Sequence, residues 1–330
     1  MFLSKPLGRQ SGFALILVLW VLSLLTIMAG SFVLSMRREA SITATIKNNA
    51  EASAIAESGI AIAEMMLLVP DKTKRWRTDG SIYQIDTANA RMRVRLLAEN
   101  GKIDINKAEQ KLLESLIAYA PIGNGKQQSQ LVGAILDWRD EDDLIHLDGA
   151  EKKEYRDAGL SYPPRNKPFQ SIGELQLVLG MDETVFKWLE PLITIYSGQP
   201  TVNLQQATKE VLQVLPDLDA GLIDDYVAAR LASARQDLPL PPLPVGLAKA
   251  ARGGQSQALT IISEVLLDDG ATATISAVIK HAPSATAPFT IVDWQRNKVG
   301  DESLFADILT DTDTITDLIV KHYAESEFNN

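Results

Sequence analysis

Residues 11–36 read SGFALILVLWVLSLLTIMAGSFVLSM, and no charged side chain interrupts the 24 residues from Phe13 to Met36. At about 1.5 Å rise per residue, such a helix crosses a hydrocarbon core of about 30 Å. A short leader carrying Lys5 and Arg9 precedes it. A secretory signal peptide has a shorter apolar region, closed on its far side by a small-residue cleavage site. Here Gly12 stands in front of the run, so a cut between Gly12 and Phe13 removes only the leader (1–12). The membrane helix (13–36) stays on the mature chain. Basic residues ahead of the helix and an acidic bulk behind it predict a single-pass protein with its N-terminus in the cytoplasm and the remainder outside.

The helical pattern does not stop at the membrane. Between Arg37 and Leu68 there is no Pro and one Gly, and Pro70 with Asp71 closes a continuation assigned to 37–69. Ala52, Ile55, Ala56, Gly59, Ile60 and Ala63 recur at three- and four-residue steps, a small-residue seam suited to packing on a sheet or on neighbouring helices. Strand signals follow in two blocks, 70–106 and 257–296. Arg91 to Leu96 alternates, with Met92, Val94 and Leu96 inward and three arginines on a solvated face. Asn100-Gly101 reads as a hairpin turn, and Asp268-Asp269-Gly270 as another between Leu259–Leu267 and Ala271–Lys280. Phe289 to Trp294 is a further strand.

Between the two blocks lies a helical insert (107–256) with an internal echo. Lys102-Ile-Asp-Ile-Asn-Lys-Ala108 is matched by Thr201-Val-Asn-Leu-Gln-Gln-Ala207, and Leu112, Leu113 and Leu116 by Val211, Leu212 and Leu215. Ser171-Ile-Gly-Glu174 reads as a capping box opening a helix, and Gly180-Met-Asp182 turns into another. These units resemble helix-hairpin-helix modules, which elsewhere grip DNA backbones. The net charge of -10 argues instead for an architectural use, since phosphate binding needs a basic surface. Prolines 239, 241, 242 and 244 make a stiff linker leaving the insert, Gly253-Gly254 a joint, and 297–330 an acidic tail.

The insert also holds the densest chemistry. Asp137-Trp-Arg-Asp-Glu-Asp-Asp143 is followed by Gly149-Ala-Glu151. Calcium takes six to eight oxygen ligands, which clustered carboxylates and carbonyls supply; the spacing and glycine are not those of an EF-hand. The histidines at 146, 281 and 322 are isolated, there is no Cys, and no nucleophile elbow or phosphate loop is found, so no enzyme is predicted.

The order of leader, Gly, Phe and apolar helix resembles the type IV prepilin family of pilins and secretion pseudopilins. The resemblance implies cleavage of Gly12–Phe13 by a prepilin peptidase and N-methylation of Phe13. Most of that family carries Glu at the fifth mature residue, where it pairs with a neighbour's amine. A carboxylate in hydrocarbon costs roughly 2.5 to 3.5 kcal/mol on insertion scales and needs such a mate. Here the residue is Leu17. That departure, with the long insert and the Ala54-Ile-Ala-Glu-Ser-Gly-Ile60 segment, is similar to the type II secretion minor pseudopilin K family. Its acidic segment resembles Asp137–Glu151, which implies calcium on Asp140, Asp142 and Glu151, with Asp137 and Asp143 as further candidates.

The implied fold is α+β and pilin-like: a long N-terminal transmembrane helix on a small antiparallel sheet, interrupted by a large all-α domain. The implied role is to cap the pseudopilus tip with minor pseudopilins I and J, among other pseudopilins, and to start its assembly for export across the outer membrane. The implied location is the inner membrane with a periplasmic C-terminal domain, and no nucleic-acid partner. A minor pilin of a type IV pilus or DNA-uptake machine is the alternative, and a solitary anchored calcium-binding domain is a further one.

Overall fold

The computed structural model describes residues 11–71, 73–236, 238–248, 257–282, 287–296, 303–306 and 320–323. The basic leader with Lys5 and Arg9, the Gly253-Gly254 joint and most of the acidic tail lie outside the described residues. Helix α1 spans Ser11–Leu67 without a break, 57 residues and about 85 Å at 1.5 Å per residue. Its first half is long and apolar enough to cross a membrane, with mean hydropathy 2.5 and none of that window buried in the protein. Phe13 and Leu17 both face outward.

The second half of α1 packs on a six-stranded sheet ordered β7-β6-β5-β2-β1-β8. The strands are β1 (Asp79–Asp86), β2 (Ala90–Ala98), β5 (Ala258–Leu267), β6 (Thr272–His281), β7 (Phe289–Arg296) and β8 (Val320–Tyr323). All neighbours are antiparallel except β8, which runs parallel to β1. The small-residue seam is the contact: Ala52, Ala56, Ile60 and Ala63 are buried with Met92, Val94, Ile261 and Val265. At Gly59 a Cβ would lie 2.2 Å from Ser263 Oγ and 2.7 Å from Met92 Sδ, so only glycine permits this approach. The β5–β6 hairpin turns where the sequence predicts, with Gly270 at φ +87°.

Five expectations about the sheet and insert need correction. Arg93 is not solvated: its Nε donates to Gln84 Oε1 at 2.9 Å and Nη1 to the Leu304 carbonyl at 2.6 Å, and its guanidinium lies 4.7 Å over the Phe305 ring. The short segment 303–306 covers this back face, with Leu304 N–H and Ser303 Oγ donating to Glu264. Strict alternation in β2 cannot reveal that a distant piece of chain lies on the polar side.

The Asn100-Gly101 hairpin is absent as well. Glu99–Gly101 is a 3-10 turn, and the chain continues into β3 (Ile103–Asp104), which pairs in parallel with β4 (Ile193–Thr194). Gly101 is needed for contact across the insert, because a Cβ there would meet the Gln206 carbonyl oxygen at 2.6 Å. Strand β4 also means that the insert is not purely helical. Ser171 makes no side-chain cap, and Ile172–Leu177 is a 3-10 helix. Glu174 is drawn away to a bidentate bond with Arg165 Nη1 at 2.8 and 2.9 Å. Finally, the proline run is no free linker: Leu243 packs on the insert core, and Leu247, in α8 (Val245–Ala248), is fully buried within it.

The insert's helices are α2 (Gln110–Ala118), α3 (Gly125–Arg139), α4 (Lys152–Asp157), α5 (Glu183–Leu189), α6 (Lys209–Val214) and α7 (Ala220–Arg235), around a core separate from that under α1. Asp182 caps α5 by accepting from Val185 N. The internal echo is real in three dimensions. Asp104 and Asn203 each close an Asx turn, onto Asn106 N and Gln205 N, and each carbonyl accepts from the matching Ala108 or Ala207 N.

Gly59→Val should lower the stability of the folded domain by about 1–3 kcal/mol through overpacking against Ser263 and Met92. Gly30→Val, with nothing within 4 Å, should leave denaturant unfolding unchanged.

Candidate metal-binding loop

Helix α3 delivers the first carboxylate. Asn124 caps its N-terminus in a reciprocal box with Gln127, and residues 131–138 are buried along its second half. This places Asp137, wholly buried, in the last turn. The chain becomes extended at Asp140 (ψ 171°) and folds back over the helix. Two glycines let it lie flat. A Cβ at Gly133 would be 2.7 Å from Gly149 Cα, and one at Gly149 would be 2.0 Å from Asp137 Oδ2.

Asp137 then braces the returning loop with both oxygens. Oδ1 accepts from His146 N at 3.0 Å and faces His146 Nδ1 at 2.5 Å; Oδ2 accepts from Ala150 N at 2.7 Å. Asp142 Oδ1 accepts from Leu144 N at 2.8 Å, and Asn166 Nδ2 donates to the Asp142 carbonyl at 2.7 Å and to Asp143 Oδ1 at 3.0 Å. Asn166 sits at φ +52°, a left-handed conformation that asparagine tolerates better than most residues.

What remains inside this frame is a set of oxygens with nothing to accept from. Both carboxylate oxygens of Glu151, Asp140 Oδ1 and the side-chain oxygen of Asn166 are buried without a hydrogen-bond partner among the described residues. Glu151 is only 7% exposed. Burial first, then the charges of Asp137, Asp140 and Asp143, push its carboxyl up to about 7, with the nearby Asn166 side chain pulling the other way. Asp140 is raised by burial and then by Asp137 and Asp142, against His146 and Arg139. Ligand atoms of Asp137, Asp140 and His146 lie within 4.8 Å of one another. Buried acceptors left orphaned are costly, by about 1–3 kcal/mol each, and carboxylate and amide oxygens of this kind are the ligand type of a hard cation.

The predicted ligand residues therefore divide. Asp140 and Glu151 keep buried oxygens unfilled, Asp142 and Asp143 lie in the same loop with one oxygen each engaged, and Asp137 braces while standing close to Asp140 and His146. His146 and Asn166 join them without a signal in the sequence. His146 looks isolated because its partner stands nine residues earlier, and Asn166 belongs to no acidic run. Tyr155, on α4, accepts from Leu179 N at 3.0 Å, which fixes the loop's far side. Gly12 and Phe13 stand in the first turn of α1, far from this loop in the chain.

Residues 90–198, covering β2 through this loop to β4, match the domain described as "Type II secretion system (T2SS), protein K". Similar curated proteins carry the same name. Type II secretion system protein K of Klebsiella pneumoniae is 28% identical over 309 residues, covering 86% of this chain and 89% of its own. That of Pseudomonas aeruginosa is 24% identical over 248 residues, covering 67% and 72%. The chain resembles the type II secretion protein K family. This is a family of secretion components, not of enzymes. Among solved structures, the GspK-GspI-GspJ complex from enterotoxigenic Escherichia coli is similar with a TM-score of 0.48 and 15% identity, over 80% of this chain and 99% of that one.

Asp137→Asn should destabilise the insert by about 1–3 kcal/mol when unfolding is followed in chelator, because one amide group must then face the Ala150 or His146 donors. Asp142→Asn, exposed, should stay within about 0.5 kcal/mol.

Proposed function

We propose that this chain is a minor pseudopilin of the protein K kind, which caps the pseudopilus tip and starts its assembly with two smaller minor pseudopilins. The observation that carries the reading is the insertion of a domain between β2 and β5 of a sheet whose α1 offers an unbroken apolar stalk. A stalk of this kind stacks in a helical fibre, while a domain of that bulk on one end of the sheet does not fit between close-packed subunits. Leu17 points the same way, since a subunit with no carboxylate there has no amine ahead of it to neutralise. Minor pseudopilins I and J are the partners proposed here, as the family resemblance implies; the solved complex holds GspK together with GspI and GspJ. Cleavage at Gly12–Phe13 and methylation of Phe13 by a prepilin peptidase complete the reading, with the domain beyond the membrane in the periplasm.

Calcium is the cofactor proposed for the loop. The orphaned oxygens of Asp140, Glu151 and Asn166 are acceptor-only, negatively charged overall and oxygen-based, which is the donor set a hard divalent cation selects. Asp137 stands within reach of Asp140, and Asp142 and Asp143 of the same loop are the further ligands proposed. When bound, the ion supplies charge compensation and no reaction; Asp137 and Asn166 hold the loop around it.

Two outcomes are expected. Calorimetry of the full chain with calcium should give binding that Asp140→Ala and Glu151→Ala weaken at least tenfold, and chelator should lower the unfolding temperature of the parent alone; heats that do not change on substitution would dismiss the metal. The domain beyond the membrane should co-elute with minor pseudopilins I and J in one peak, and three independent monomer peaks would remove the tip proposal.

A further inference from the structure

Leu144, Ile145 and Leu147 are 75%, 53% and 85% exposed, three large apolar side chains within four residues. The loop under them is well braced. Its amides at 144, 146 and 150 donate to Asp142 or Asp137, Gly149 N donates to the His146 carbonyl, and Asn166 holds the Asp142 carbonyl. Apolar side chains displayed together on a fixed frame dock with little loss of backbone freedom, and clusters of this kind mark contact surfaces.

The charge around them restricts the partner. Residues 140–151 contain Asp140, Glu141, Asp142, Asp143, Asp148 and Glu151 and no Lys or Arg, and Glu141, Asp142, Asp143 and Asp148 are exposed. A single divalent cation leaves this segment net negative. An anionic lipid surface is repelled by that rim, and a second copy of the chain would bring the same acidic rim against itself. A protein with an apolar recess bordered by lysine or arginine satisfies both the centre and the rim.

We propose that the 144–147 loop is a docking crown for a protein surface with an apolar centre and a basic rim. The crown's frame comes from Asp137, Asp142 and Asn166, whereas Glu141, Leu144, Leu147 and Asp148 are not among the residues proposed to hold the cation, so variants at these four read docking apart from the metal and from a tip complex.

The test uses the full chain in zwitterionic nanodiscs and a fluorescent amphipathic peptide of alternating leucine and lysine, followed by anisotropy. The leucine–glutamate counterpart serves as control. The basic peptide is expected to bind. Leu144→Ser combined with Leu147→Ser should weaken it about tenfold or more, as should Glu141→Lys combined with Asp148→Lys, with far-UV circular dichroism and calcium heats of the serine variant unchanged. The acidic peptide should not bind. Equal affinity for parent and serine variant, no binding of the basic peptide, equal binding of the acidic one, or crown-dependent binding to anionic vesicles or to a second copy would each overturn the proposal.

Discussion

One rung of the sheet holds the molecule's two parts together. Ala98 at the end of β2 faces Leu259 at the start of β5, so the whole insert leaves and returns through adjacent strands. Glu99, only 1% exposed, sits at that rung. Its carboxylate accepts from Thr260 Oγ1 at 2.6 Å on the returning strand, from Lys102 Nζ at 2.7 Å on the leaving chain, and from Thr194 Oγ1 on β4 of the insert. A buried carboxylate is tolerated only when paired and hydrogen-bonded, and here each partner comes from a different piece of the fold. Loop-closure entropy rises only logarithmically with length. A hairpin can therefore carry a domain of this size once the domain has its own core and the rung is fixed.

Inside the insert, the same solution is used twice. Each half begins with an extended step and an Asx turn, then a short helix, then a long one. Arg139 on α3 donates to the carbonyls of Ile105 and Ala108 at 2.5 and 2.6 Å, and Arg230 on α7 to that of Ala207 at 2.6 Å. Ala108 and Ala207 are the matching positions of the echo, both fully buried. The orphan carbonyls at each turn need a donor, and a guanidinium from the following long helix supplies it. Ser115 Oγ donates to the Val214 carbonyl at 2.7 Å, which ties the two halves to each other.

How much of this the chain's letters disclose depends on the range of the forces involved. The α1 seam, the β5–β6 turn and the echo follow from periodicity and local turn chemistry, and all three are found. Strand β1 gives no such signal because Asp79–Asp86 is buried on both faces, so it lacks the alternation of a half-solvated strand. Arg93 and Gly101 mislead for one reason: each answers to a group far away in sequence, Leu304 and Gln206; Glu174 is drawn off by Arg165, nine residues earlier but outside the capping pattern. At the acidic loop, composition discloses the carboxylates, while their division into brace and orphan depends on which amides the loop brings to Asp137.

That division also explains why the loop is inside out. Ordinarily, burying a leucine or isoleucine side chain is worth about 1.5–3 kcal/mol, yet Leu144, Ile145 and Leu147 stay in water while Asp137 and Glu151 are buried. The space under the loop is filled by carboxylates and by two glycine contacts with no room for a Cβ. The apolar side chains cannot turn inward without displacing the oxygens, and the oxygens cannot turn outward while Asp137 holds the amides of His146 and Ala150. The same inward commitment therefore leaves buried oxygens unfilled and apolar side chains on the surface, so the loop's acidic interior and its greasy face are two consequences of one buried aspartate.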